Sequence, residues 1–123
     1  KTLREINVRR GQRKFRENLL AAYGGRCAIT DCGIASLLEA AHVIPHSVSG
    51  VNSVENGLLL RSDIHTLFDL GLLFIDPVDK TVHVSGELDE SPYKELENKP
   101  LRATDAGRHP RQDYLETRFR LRR

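Results

Sequence analysis

Methionine and tryptophan are absent from this sequence, and cysteine occurs twice. No apolar run approaches the ~18 residues that a membrane span requires, so no membrane partner is expected. Two cysteines, Cys27 and Cys32, cannot build a disulfide framework and point to a reducing, cytoplasmic setting. A chain without methionine that begins at Lys1 reads as a domain excised from a larger multidomain protein. Its recognition or regulatory partner is then expected on another part of that protein, and an oligomer remains open. There is no internal repeat and no low-complexity tract. What is present is ordinary for a globule: 39% hydrophobic and 29% charged residues, in a chain of 123 residues long enough for a single domain with its own core.

The net charge of +2 hides an uneven distribution. Residues 1–16 carry Lys1, Arg4, Arg9, Arg10, Arg13, Lys14 and Arg16 against Glu5 alone. Residues 108–123 carry six arginines against Asp113 and Glu116. The ends therefore stand at +6 and +4, which leaves −8 for residues 17–107. Basic flanks around an acidic centre suit a polyanion held at the edges while the middle handles cations. Solvated helix faces give the same pattern.

The element pattern is mixed. Phe15, Leu19 and Tyr23 recur every fourth residue in a predicted helix over 8–23, with Gly24-Gly25 as its stop. "RCAIT" reads as a short strand. "LLEAAHV" reads as a second strand, although Ala and Glu weaken that reading. Asn56-Gly57 signals a tight turn ahead of "LLL", which makes a hairpin with a long connection. Ser62 is a natural N-cap for a helix from Asp63 to Leu70, ended by Gly71. "LLFID" and "TVHVS" form a further hairpin around "PVDK". Ser91-Pro92 opens a short helix, and Pro110 opens a C-terminal one.

The stretch "EAAHVIPHSVSGVNSVENGLLLRSDIHTLFDLG" concentrates the candidate chemistry. His65 and Asp69, four apart on the predicted helix, project from one side and can share a divalent ion. Taken alone, such a pair is more often a surface hydrogen bond. A strand with His42, Pro45 three residues on, a central Asn56, and His65 nine residues later resembles the ββα-metal motif of the HNH endonucleases. The resemblance runs from Cys27 to about Pro77 and is strongest to the branch in bacterial restriction and anti-phage nucleases.

It implies an α+β fold: a ββα-metal core at 27–77, an additional β-hairpin, and flanking helices, all within one nuclease domain over 1–123. It also implies a metal-dependent DNA endonuclease, the cleavage domain of a restriction or defence enzyme acting on double-stranded DNA. His42 would be the general base, and His65 and Asp69 the metal ligands. Asn56 would tie the loop across the hairpin and fix the backbone near His42. Asn56 also suits a plain turn. Arg61 is a candidate phosphate contact, and His46, Arg9, Arg10, Arg13 and Lys14 are candidate DNA-binding residues.

One departure is Ala41, where many family members carry another ligand. Two protein ligands then favour Mg²⁺ or Mn²⁺, although a histidine also admits Zn²⁺ or Ni²⁺. Strand alternation sets Glu39 opposite His42, so Glu39 is not counted as a ligand. Two alternatives stand beside this reading. One is an HNH-like domain that binds DNA without cutting it. The other is a Cys₂His₂ zinc-binding module from Cys27, Cys32, His42 and His46, disfavoured because Pro45 interrupts the required helix.

Overall fold

Phe15 and Leu19, continued by Tyr23 just past its end, form the stripe by which helix α1 (Leu3–Ala22) enters the core of this computed structural model, which describes residues 3–45 and 52–122. The helix ends where expected, the Gly25 N–H donating back to the Leu20 carbonyl at 2.8 Å. Strands β1 (Leu38–His42) and β2 (Gly57–Arg61) form an antiparallel ribbon that sets His42 opposite Gly57 and Leu38 opposite Arg61. Leu58, Leu59 and Leu60 are all fully buried, so both faces of β2 are covered.

Helix α2 (Ser62–Asp69) follows β2 with no intervening loop. It docks through the buried Ile64, Leu67 and Phe68. At its end Gly71 takes φ +74°, the left-handed conformation for which glycine is suited. The Gly71 and Leu72 N–H groups then return to the Phe68 and Leu67 carbonyls at 3.1 and 2.9 Å, which satisfies the last turn. Strands β3 (Leu73–Ile75) and β4 (Val82–Val84) make the second hairpin. The Ser91 hydroxyl accepts from the Tyr93 N–H and caps the short 3-10 turn begun by Pro92. Helix α3 (Gln112–Leu121) closes the fold, with Leu115 inward. The α+β arrangement is the expected one: a ββα core, a second hairpin, and helices on either flank.

Four local expectations are corrected. "RCAIT" is no strand: Cys27 and Cys32 close a tight loop, the Cys27 N–H reaching the Cys32 carbonyl at 2.9 Å, with Asp31 at φ 65°. Ser62 makes no cap; Arg61 occupies that position, and helical geometry begins at Ser62 itself. The C-terminal helix begins at Gln112, two residues beyond Pro110.

Asn56-Gly57 is not a tight turn either. Asn56 ends a 3-10 turn, and Gly57 is extended at φ −137°. Gly57 is required for space instead, since a Cβ there would lie 2.7 Å from Phe15 Cζ and 2.9 Å from Leu19 Cδ1. Both neighbours are packed core side chains. Gly57→Ala is therefore expected to cost about 1–3 kcal/mol through overpacking. Urea unfolding checks this: a lower midpoint at unchanged slope is expected, and an unchanged midpoint would show that α1 yields freely.

Candidate active site

His42 is the last residue of β1, and α1 supports it from beneath. Its ring stacks on Phe15 with centroids 4.4 Å apart and planes at 19°. His42 Nε2 lies 2.8 Å from Asn52 Oδ1. With that oxygen as the acceptor, Nε2 carries the proton and the basic lone pair lies on Nδ1. The backbone just beyond is held by Asn56, which is fully buried. Its side-chain oxygen accepts from the Ile44 N–H at 2.8 Å, and its amide nitrogen donates to the Ile44 carbonyl at 3.0 Å. The Val43 N–H adds a bond to the Asn56 carbonyl at 2.9 Å. One asparagine thus clamps the segment leaving His42.

His65 and Asp69 face each other across one turn of α2, with Nε2 and Oδ2 3.1 Å apart. Two ligands at a right angle about an octahedral ion with ~2.1 Å bonds sit ~3.0 Å apart, so this spacing fits a shared ion with little movement. The other ring nitrogen, Nδ1, is bonded to Glu39 Oε1 at 2.7 Å. A carboxylate behind a histidine fixes its tautomer and leaves Nε2 as the donor toward an ion, a common support for metal-binding imidazoles.

The His65 pKa is raised by its hydrogen bond to Asp69, against the effect of burial, with Glu39 adding in the same sense. For Asp69, burial acts to raise the pKa, but the bond and charge of His65, with Arg118 and His42, hold it below the usual range. The site is therefore poised for positive charge.

These groups share one cavity of about 450 Å³, lined by His42, His65, Asp69 and Glu39 together with Gln12, Phe15 and Arg16 of α1. Glu39 and His42 both reach it despite strand alternation. Among the described residues β1 pairs with β2 alone, and two-stranded ribbons twist more than larger sheets, so a long side chain can wrap round.

The other predicted contacts are placed differently. Arg61 forms a two-pronged pair with Asp63 at 2.6 and 2.9 Å, and it does not line the cavity. That pair, with the Tyr93 hydroxyl, pulls the Asp63 pKa down to about 2. The pair commits Nε and Nη2 of Arg61 to Asp63. Arg13 and Lys14 are exposed, and α1 carries Arg9 and Arg10 in its helical backbone. His46 lies outside the described residues. Arg16, from the same basic run, is bonded to the Leu38 and Ala35 carbonyls at 3.1 and 2.8 Å.

Sequence reasoning missed Asn52, since nothing in its spacing marks it, and Arg118, which arrives from α3. Arg118 bonds the Val43 and Phe68 carbonyls, and burial lowers its pKa.

Among the described residues, the group of three donor atoms lying within 4.8 Å of one another is Asp76, Asp79 and His83. Its atoms already serve the β3–β4 turn. Asp76 Oδ1 accepts from the Val78 N–H, Asp79 Oδ1 accepts from Thr81, and His83 Nε2 meets the Thr81 hydroxyl at 2.9 Å. Cys27 and Cys32 do not join His42 in such a group. The Cys27 sulfur instead accepts from the Thr30 and Arg61 N–H groups at 3.4 and 3.3 Å. No described helix is long and apolar enough to cross a membrane.

Residues 27–76 match the model of the HNH endonuclease family. A solved structure, a modification-dependent TagI restriction endonuclease, is similar in fold, with a TM-score of 0.62 at 21% identity. The alignment covers 83% of this chain and 35% of that one, so the present chain spans about a third of that enzyme's length. No curated protein matches the chain. The strand of His42, the clamp of Asn56 and the helix of His65 and Asp69 all fall inside the segment, residues 27–76, that matches the HNH endonuclease model.

Proposed function

We propose that this chain is a metal-dependent DNA endonuclease domain that hydrolyses phosphodiester bonds in double-stranded DNA, as the cleavage part of a restriction or defence enzyme. The observation that carries the reading is the single cavity shared by His42 and the His65–Asp69 pair, each brought there by a different element of the ββα unit. In the proposed reaction His42 accepts a proton from the attacking water as its oxygen bonds to phosphorus. The bond from phosphorus to the leaving 3′ oxygen then breaks, and that oxygen takes up a proton from solvent water. Asn52 and Phe15 hold the imidazole in one tautomer and one plane, and Asn56 fixes the backbone that carries it. His65 and Asp69 would hold the ion, with Glu39 orienting His65. A bound divalent ion supplies positive charge to the phosphate and to the leaving oxygen. One nitrogen and one carboxylate oxygen favour Mg²⁺ or Mn²⁺, with water and DNA phosphate completing the shell; Zn²⁺ and Ni²⁺ are admitted by the imidazole.

The test is plasmid cleavage with Mg²⁺, Mn²⁺, Ni²⁺ or EDTA, alongside bound-metal analysis. Nicking or linearisation that EDTA abolishes is expected. DNA retention without cleavage under any ion would leave a binding domain.

Arg9, Arg10, Arg13 and Lys14 are proposed to bind the duplex backbone. Neutralising them is expected to weaken binding similarly for any sequence, and to make log affinity against log salt shallower by about 0.9 for each phosphate that is no longer neutralised. The rate at saturating DNA is expected to change little, because such groups bind ground and transition states alike. An unchanged salt slope would reduce this basic run to solvated helix surface.

A further inference from the structure

Arg118 stands between the two halves of the site, yet it faces protein rather than solvent. It lies one turn beyond the buried Leu115 on α3, on the same inward side. Its Nη1 donates to the Val43 carbonyl at 3.2 Å, and its Nη2 donates to the Phe68 carbonyl at 2.6 Å. The guanidinium rests over the Phe68 ring at 3.9 Å, and Nη2 lies 3.9 Å from Asp69 Oδ1. The side chain is 19% exposed. The two carbonyls are not arbitrary: Val43 directly follows His42, and Phe68 directly precedes Asp69.

We propose that Arg118 is a positioning residue, which fixes the segment bearing His42 against the end of α2 bearing Asp69 by bridging their main-chain carbonyls. The inference rests on the roles proposed above for His42, His65 and Asp69. The Asn56 clamp ties residues 43 and 44 to the start of β2, and so it secures His42 within the hairpin. It does not reach the far end of α2, which Arg118 does. A planar guanidinium can address two carbonyls at once with fixed divergent N–H groups, and its face can stack on Phe68. A lysine ammonium, being a single flexible point, cannot span both. With both prongs engaged in protein carbonyls and most of its surface covered, Arg118 is not placed to read DNA.

The test compares Arg118→Ala and Arg118→Lys with the wild-type chain. It uses metal-ion-activated plasmid cleavage, thermal melting, and the imidazole resonances of the metal-free protein. Both variants are expected to lose roughly 10- to 100-fold in kcat, the scale set by small misplacements of reacting groups. KM for DNA is expected to stay within about threefold, since no group that touches DNA is removed. The His42 and His65 resonances are expected to shift together, while those of His83 and His109, held in other parts of the fold, stay in place. Failure of lysine to restore kcat is part of the expectation.

A folded variant with wild-type kcat, or with unmoved His42 and His65 resonances, would overturn the proposal and leave Arg118 as a staple for α3. If the alanine variant does not fold, the lysine variant decides on the same readouts. If wild-type protein cleaves no DNA, the nuclease reading fails by itself, and the imidazole shifts still decide whether Arg118 sets the geometry.

Discussion

Replacing His42 by Ala is expected to lower kcat by roughly 10²–10⁴-fold, the range that a positioned general base contributes. DNA affinity and metal content are expected to stay near wild type. The split follows from the geometry. His42 sits at the end of β1 with one ring nitrogen against Asn52, whereas the pair suited to an ion is His65 Nε2 and Asp69 Oδ2 on α2. Removing the imidazole takes away the proton acceptor and leaves that pair and its Glu39 support in place. The ring's stacking on Phe15 disappears as well, at a cost of about 1 kcal/mol, which a melting curve would register without unfolding the chain. Single-turnover cleavage, filter binding in EDTA and bound-metal analysis separate these quantities. Loss of metal from the variant would make His42 a ligand and remove it from the role of base.

The parts of this site that could be read from sequence are those set by local spacing. His65 and Asp69 share a side because a helix returns every four residues, and the run Ile64, Leu67, Phe68 fixes which side is docked. The ribbon was legible in the same way, since "LLL" between a loop and a helix leaves few other conformations for a short apolar run.

Where the reading failed, a tertiary requirement overrode a local one. Gly57 is glycine because Phe15 and Leu19 pass beneath it, a demand made by α1 from some forty residues away and not by the turn chemistry its pairing with Asn56 suggested. Strand parity places Glu39 away from His42, yet its carboxylate reaches His65, because parity is a rule for flat sheets and β1 belongs to a two-stranded ribbon. Arg118 carries no sequence signal at all. Inside a basic tail it is indistinguishable from its neighbours, and only the packing of α3 against β3 and α2 turns it inward. Net charge was misleading in the same respect, since Arg16 and Arg118 belong to the basic flanks yet bind backbone carbonyls.

Changing His65 or Asp69 to Ala is expected to cripple cleavage in each case, and the double variant is expected to be little worse than either single one. Groups that serve one ion fail together, because losing one ligand of two already forfeits the ion at working concentrations, and the second change then has nothing left to remove. The 3.1 Å approach of Nε2 to Oδ2 is the structural basis for treating the two as one unit. Glu39 extends the argument outward. Its bond to His65 Nδ1 orients the ring without supplying a ligand, so Glu39→Gln is expected to weaken metal binding by roughly 10- to 100-fold and to be rescued by added Mn²⁺. The His65 and Asp69 single variants are expected to resist such rescue. The decisive comparison is the double variant's rate, measured at one fixed working concentration of Mn²⁺ and saturating DNA, against the product of the two single losses. A rate close to that product would mean that His65 and Asp69 act independently. The hydrogen bond between them would then be a surface pair on α2, and the ion would have to be sought elsewhere in the cavity.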